Sequence, residues 1–262
     1  MPIETAAPPT ATPEPMAATV NGEGILLAEW DAQVTEYINA HEALGKPVTE
    51  ADAGTAVLED MIAQVLLAQG AREDGFELTP EELDARIEDL SQEVEDAGGL
   101  GKWQAAHGYT ESTFRTALKR AAEAAHMRDK IVAGVPKTAE QVHVQQILLY
   151  NESDAIAISN QIKGGISFEG MAARIDPATR GELSWFPRGY VLEPAVEEAA
   201  FSLPVGEVSE VIHSGVGWHI IKVLERDEDH PLSPDAYLAL QELALKDWLT
   251  QRRAAATVVM AP

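Results

Sequence analysis

Pro136 marks the point where the spacing of apolar residues changes, and this change constrains the fold more than any other feature. Before it, apolar residues recur every three or four positions, as in Leu58, Met61, Ile62, Val65 and Leu66. Such spacing is typical of amphipathic helices. After it, QVHVQQILLY (141–150) alternates as a strand does, and short helix and strand patterns follow. We therefore predict an α+β protein, with a helical lobe at 17–135 and a compact α/β domain at 136–228.

Helix starts in the lobe carry capping signals. Asp52 stands three residues after Thr49, and Thr79 is followed by a proline at the first helical position and an acid at the third. Both patterns satisfy amide groups that an uncapped helix leaves without a partner. Gly98-Gly99 ends the second of these helices, and Thr110 begins another one.

Ser233-Pro234 begins a last helix, which has Tyr237, Leu240, Ala244 and Trp248 on one face. A single helix of this length is only marginally stable by itself in water. We therefore expect residues 229–255 to return to the helical lobe and complete it.

Residues 1–16 are predicted to be a disordered tail. The stretch PIETAAPPTATPEP has five prolines and three threonines and cannot bury a core. Met1 is not followed by the apolar run of a signal peptide. Two interpretations remain open: an ordinary disordered terminus, or a tether left where a signal or lipid anchor was removed.

The overall charge excludes some classes of partner. The 43 acids and 19 bases give a net charge of −24, which argues against nucleic acid because a phosphate backbone attracts basic surfaces. No run of about 20 apolar residues is present that could cross a membrane. The absence of cysteine excludes disulfides, thiolate metal sites and a cysteine nucleophile. The histidines lack metal-ligand spacing, so we expect no metal.

Three stretches between residues 137 and 226 carry a resemblance to a known family. They are VHVQQILLY, GISFEGMAARIDPATRGELSWFPRG and EEAAFSLPVGEVSEVIHSGVGWHIIKV, in this order. Together they resemble the parvulin family of peptidyl-prolyl cis-trans isomerases, which implies a small antiparallel sheet with helices. The lobe, with VNGEGILLAEWDAQV, is similar to the chaperone lobe of exported SurA- and PrsA-type foldases, in which a helix after the parvulin domain completes the lobe.

The resemblance implies a polar site. His219 matches the histidine of the family's last strand, and Ser214 falls where a hydroxyl commonly lies. Asp176 falls where family members have aspartate or cysteine, although it also suits the turn before Pro177. Gln146 replaces the histidine of the usual His-Ile-Leu in the first strand. A histidine in a GWHIIKV strand is also compatible with a purely structural role, so that interpretation stays open.

The resemblance also implies an apolar pocket for the proline ring. Its predicted members are Leu183, Leu192, Val196 and Phe201. Leu192 and Val196 replace the usual methionine and phenylalanine, and the alignment is uncertain by one residue just before them.

Gln146 can be examined without the family. On a strand it shares a face with Val142, Val144 and Leu148, where a buried amide needs hydrogen bonds. His143 lies at an odd offset, so it points to the other face and cannot replace the missing histidine. An amide cannot titrate, so we expect a weakened polar network.

Two functions follow from these patterns. The first is an extracytoplasmic bacterial foldase, either periplasmic or tethered to the cell surface, that isomerises prolyl bonds in unfolded clients without metal or cofactor. The second is a chaperone or scaffold that uses a catalytically inactive parvulin fold for binding. His219, Asp176 and Phe201 favour the first, whereas Gln146 and the altered pocket favour the second. A cytoplasmic maturation factor is a third alternative.

Overall fold

The computed structural model describes residues 14–95, 98–191 and 193–261. Contacts divide the chain into two compact units: unit 1 comprises residues 1–130 and 247–262, and unit 2 comprises residues 131–246. The predicted tail lies outside the described residues up to position 13. None of the helices in the described ranges combines the length and apolar character that a bilayer crossing needs.

Unit 1 is mainly helical. Its helices are α1 (Leu27–Ala43), α2 (Glu50–Glu73), α3 (Pro80–Glu93), α4 (Leu100–Ala106), most of α5 (Glu111–Ala133) and the end of α9 (Pro234–Ala255). The strands β1 (Met16–Val20), β2 (Glu23–Leu26) and β7 (Val258–Met260) form an antiparallel sheet in the order β2-β1-β7. Neither α4 nor β7 was predicted from the sequence.

Helix α2 supplies much of the unit 1 core. Its Met61, Ile62 and Val65 are fully or almost fully buried, and Leu249 of α9 packs against the same cluster. The predicted caps are present, because the side chain of Thr49 accepts a hydrogen bond from the Asp52 amide. Thr79 and its partner at the third position form a reciprocal capping box.

Unit 2 is built around an antiparallel sheet in the order β4-β3-β6-β5. Its strands are β3 (Thr138–Leu149), β4 (Glu182–Pro187), β5 (Ile212–His213) and β6 (Trp218–Pro231), and its helices include α6 (Glu152–Lys163), α7 (Phe168–Ile175) and α8 (Pro194–Ser202). The α+β class predicted from the sequence is confirmed.

The two faces of this sheet are covered by different apolar clusters. Ile221 packs with Val144 and the α8 side, whereas its neighbour Ile220 packs with Ile147 and the α6–α7 side. Adjacent strand residues point to opposite faces, so the run of apolar residues in β6 serves both clusters.

Candidate active site

His219 lies near the start of β6, between two neighbouring strands. Its register partners are Leu148 of β3 and Ile212 of β5, and it is only 3% exposed. Gly217 permits this close approach, because a Cβ there would lie 2.6 Å from the carbonyl oxygen of Leu149. The strand therefore brings an imidazole into a nearly dry position beside the apolar cluster.

Both ring nitrogens of His219 have a polar partner. Nδ1 lies 3.1 Å from Oε1 of Gln146, and Nε2 lies 2.7 Å from Oγ of Ser214. An amide oxygen can only accept, so Nδ1 carries a proton and donates it to Gln146. In the neutral ring Nε2 is then an acceptor, and the Ser214 hydroxyl donates to it while accepting the Val216 amide at 3.2 Å. Three of the predicted site residues are thus joined in one hydrogen-bond chain.

The surroundings favour the neutral form of this histidine. Burial lowers the pKa of His219 below its ordinary value of 6.5, because the charged ring loses solvation. The negative charge of Glu193 acts in the opposite direction on the same pKa, but it is the smaller effect. The ring is therefore an acceptor toward Ser214 at neutral pH.

Gln146 is held in place by a close backbone contact. Its amide donates to the Gly181 carbonyl at 2.7 Å. Gly181 has a φ of +71°, and a Cβ there would lie 1.8 Å from the Gln146 carbonyl oxygen. Only glycine fits this contact. The side-chain NH2 of Gln146 makes no hydrogen bond within the described ranges, so it is available as a donor.

His143 does not take part in this site. Its Nε2 lies 2.6 Å from Glu182, its Nδ1 lies 3.2 Å from Glu225, and its ring stacks on Trp185. The expectation that His143 cannot replace the missing histidine is confirmed by these contacts.

Asp176 is linked to Gln146 indirectly, through hydrogen bonds within the turn that follows it. Its carboxylate accepts hydrogen bonds from the amides of Ala178 and Thr179 and from the Thr179 hydroxyl. These bonds hold the pKa of Asp176 below its ordinary value, and the bond from the Thr179 hydroxyl has the largest effect. The Thr179 oxygen in turn accepts the Gly181 amide at 3.1 Å, and Gly181 binds Gln146. Among the described residues no hydrogen bond joins Asp176 directly to His219.

The predicted apolar residues are mostly found together. Leu183, Val196 and Phe201 belong to or pack against one cluster, to which Ile221 also belongs. Ile221 is the register partner of Gln146, so the polar chain adjoins this cluster. Leu192 lies outside the described residues.

Val191 packs against this cluster as well, although it was not predicted. The uncertainty of one residue in the alignment just before α8 allows Val191 to take the place assigned to Leu192, and this was the available signal. Glu193, the residue before α8, was also missed, because nothing in its local sequence relates it to the loop after β5.

The described ranges contain no group of three or more histidine or acidic side chains placed to hold a metal ion. The hydrogen-bond chain Ser214–His219–Gln146 is the candidate site in unit 2. It combines a neutral imidazole, a hydroxyl and an amide at the border of an apolar cluster, which suits hydrogen bonding to an uncharged substrate.

Comparisons with known proteins assign both parts of the chain. Residues 129–227 match the model of the PPIC-type PPIASE domain, and residues 10–108 match that of the SurA-like N-terminal domain. The foldase protein PrsA of Caldanaerobacter subterraneus is 29% identical over 225 residues, which are 79% of this chain and 72% of that protein. PrsA of Oceanobacillus iheyensis is 31% identical over 186 residues, covering 65% of this chain and 59% of that protein.

One further relative and one crystal structure are also similar to this chain. Chaperone SurA of Chromobacterium violaceum is 31% identical over 151 residues, covering 50% of this chain and 35% of that protein. The crystal structure of PrsA from Bacillus cereus has 25% sequence identity and a TM-score of 0.47, covering 79% of this chain and 82% of that one. The chain spans less than two thirds of the Oceanobacillus and Chromobacterium proteins. The chain thus contains a SurA-like N-terminal domain at residues 10–108 and a PPIC-type PPIase domain at residues 129–227.

Proposed function

We propose that this protein is a parvulin-type peptidyl-prolyl cis-trans isomerase that acts as a foldase on unfolded polypeptides outside the cytoplasm. The observation that carries the proposal is the hydrogen-bond chain Ser214–His219–Gln146 at the border of an apolar cluster. The family assignment of residues 129–227 supports it.

Prolyl isomerisation makes modest chemical demands that this arrangement meets. Rotation about the amide has a barrier of about 18–20 kcal/mol, and no covalent bond is broken. At the twisted transition state the amide loses resonance, so its nitrogen becomes a better hydrogen-bond acceptor. A dry pocket with a placed donor then stabilises the twisted form more than either planar form. Neither a nucleophile nor a proton relay is needed.

The residues of the site divide these tasks. Leu183 and Val191, which are partly buried, offer the apolar surface for the proline ring, and the almost fully buried Val196 belongs to the cluster against which they pack. The free NH2 group of Gln146 supplies a donor near the prolyl bond. His219 orients that amide through its oxygen, and Ser214 keeps His219 in the tautomer that donates from Nδ1. Asp176 acts as a positioning residue through its turn rather than on the substrate.

The proposed clients and location rest on the relatives. Proteins named foldase PrsA and chaperone SurA align with this chain, and polypeptide clients fit both names. The Pro/Thr-rich stretch at residues 2–15 has the composition of an extended spacer, such as one between a membrane anchor and a folded domain.

The direct test is isomerisation of Xaa-Pro peptides by the full chain and two variants. His219→Ala removes the centre of the hydrogen-bond chain, and we expect kcat/KM to fall at least tenfold. Gln146→His places a titratable ring where the amide stands, and we expect a rise of several-fold. His213→Ala, which removes an exposed imidazole from the neighbouring strand, is the matched control and should keep wild-type activity.

A flat baseline for folded wild type and both site variants would refute the isomerase proposal. The parvulin domain would then serve only to bind polypeptides. Equal loss in His219→Ala and His213→Ala would instead show that the assay reports a general change in unit 2.

A further inference from the structure

The first half of α9 packs against the loop that leads into the proline pocket. Residues 188–191, here called the pocket loop, follow β4 and end with Val191, which packs against the pocket cluster. A Cβ at Gly189 would lie 2.5 Å from Cδ2 of Leu243 and 3.8 Å from Cδ2 of Leu240. Gly189 also has a φ of +82°, so glycine fits this position both for its backbone conformation and for its lack of a side chain.

The same loop is tied to α8. The Gly189 amide donates to Oε2 of Glu197 at 2.8 Å. The guanidinium of Arg188 lies 4.2 Å from the centre of the Phe201 ring and pairs with Glu198 at 3.5 Å. The pocket loop is therefore held by two helices, and its course depends on both.

This part of α9 belongs to unit 2, which comprises residues 131–246. Ala236 in its first turn is fully buried, and the side-chain amide of Gln241 donates to the Val132 carbonyl at 3.3 Å. The matched isomerase domain ends at residue 227, before α9 begins. A helix outside the matched domain thus contacts the loop that carries a pocket residue.

We propose that Leu243, supported by Leu240, is a positioning residue of the isomerase, which holds the pocket loop so that Val191 faces the proline ring. The inference rests on the proposed isomerase function, and it extends the functional unit of that isomerase through residue 246. The two leucines act through the loop and make no contact with the substrate.

The proposal predicts a particular kinetic change in Leu243→Ala. The substitution leaves space beside Gly189 into which the pocket loop relaxes, and Val191 then loses part of its contact with the proline ring. The ring uses that contact in the planar and the twisted states alike, so its loss raises KM and spares kcat. An apolar contact of about one methylene is worth about tenfold, so we expect KM for Xaa-Pro peptides to rise about tenfold, with kcat within about twofold of wild type.

Gly189→Ala tests the same contact from the side of the loop. Its methyl group would lie 2.5 Å from Leu243, which forces the loop away from α9, so KM should again rise about tenfold. In the double variant Leu243→Ala removes the atom that the methyl group meets. KM of the double variant should therefore stay about tenfold above wild type, rather than rise by the roughly hundredfold that independent effects would give.

Two further variants separate positioning from general damage to unit 2. Leu238→Ala is the matched control, because it makes the same substitution in the same helix at a side chain that is 56% exposed, and it should keep both kinetic constants at wild-type values. Leu243→Met keeps most of the side-chain volume and should bring KM back to within about twofold of wild type. In Leu243→Ala the backbone amide signal of Val191 should shift, while the imidazole signals of His219 stay in place.

Several results would contradict the positioning role. Wild-type KM in folded Leu243→Ala would overturn it, and so would a double variant in which the two substitutions act independently. A fall in kcat together with displaced His219 signals would show general damage to unit 2 and refute the proposal as well. If Leu243→Ala does not fold, Leu240→Ala removes the contact at 3.8 Å and should raise KM several-fold, and an unchanged KM there would overturn the proposal.

Failure of the isomerase itself gives a different result. Inactivity of folded wild type on every peptide would overturn the isomerase. The positioning role is then decided by equilibrium binding of the same peptides to the full chain, followed through the Val191 amide signal. Weaker binding by Leu243→Ala than by Leu238→Ala would support the role, and equal affinities would refute it.

Discussion

Gly181→Ala is the substitution that tests most directly how the backbone positions Gln146. A methyl group at this position would lie 1.8 Å from the Gln146 carbonyl oxygen. Non-bonded heavy atoms normally stay about 3–4 Å apart, so one backbone must retreat by more than about 1 Å. That movement breaks the 2.7 Å hydrogen bond from the Gln146 amide to Gly181.

The expected loss of stability follows from three contributions. The left-handed backbone costs an alanine about 1 kcal/mol, the lost hydrogen bond about 1 kcal/mol and the forced separation about 1–3 kcal/mol. We therefore expect the free energy of unfolding of unit 2 to fall by about 3 kcal/mol or more. Because Gln146 also holds His219, kcat/KM should fall at least tenfold.

Gly206→Ala separates the clash from the backbone conformation. Gly206 has a φ of +88°, but nothing lies within 4 Å of a Cβ there. It should lose only about 1 kcal/mol and keep its activity. Urea unfolding followed by amide signals of unit 2 measures the stabilities, and peptide isomerisation measures the activities. Equal losses in the two variants would refute the argument that the close contact positions Gln146.

Three further predictions concern the hydrogen-bond chain, its turn and a helix cap. Isomerase activity should fall on acidification below pH 6.5, because the pKa of His219 lies below that value and a protonated ring cannot accept from Ser214. Because the pKa of His219 is lower in the folded chain than in the unfolded chain, the unfolded chain binds the proton more readily. The contribution of this histidine to stability is therefore complete above pH 6.5, and it is lost as the pH falls through the folded pKa. Thr179→Val should lower kcat/KM about fivefold and shift the side-chain amide signals of Gln146, since it removes the hydroxyl between Asp176 and Gly181. Thr79→Ala should destabilise unit 1 by about 1 kcal/mol in urea unfolding, because the capping box is lost.

Each of these three has its own control. A rate that stays flat while the His219 imidazole signals show the ring becoming protonated in the folded protein would show that the protonation state of His219 does not matter. Thr179→Ser keeps the hydroxyl and should retain wild-type amide signals. Loss of activity without movement of those signals would contradict the positioning role. Thr55→Ala removes an exposed hydroxyl from the second turn of α2, beyond the cap, and should change stability by only a few tenths of a kcal/mol.

Local signals in the sequence were sufficient for much of this fold. The caps at Thr49 and Thr79 were predicted because each depends on residues within one helical turn. The family assignment of the isomerase domain was predicted from ordered motifs and is confirmed. The short distances that join Ser214, His219 and Gln146 agree with the predicted network, although the catalytic role of each residue stays a prediction.

The missed features depend on contacts between distant parts of the chain. The interaction of Gly181 with Gln146 joins residues of a turn and a strand, and a glycine in a turn has many ordinary explanations. Glu193 meets Gly215 only because the loop after β5 returns to the start of α8. The strand β7 was missed because a three-residue strand has almost no periodicity, and only pairing with β1 defines it.

The discontinuity of unit 1 has a consequence for the order of folding. Val258 of β7 pairs with Val20 of β1, so the sheet of unit 1 cannot be completed before residues 258–260 are available. Unit 2 is one continuous segment and can form as soon as residue 246 has emerged. An unfolded segment of this length makes closure of β1 on β7 entropically costly, and compaction of residues 131–246 reduces that cost. During synthesis, unit 1 therefore stays incomplete, with the apolar α2 surface that Leu249 contacts partly uncovered, until residues 247–260 have emerged.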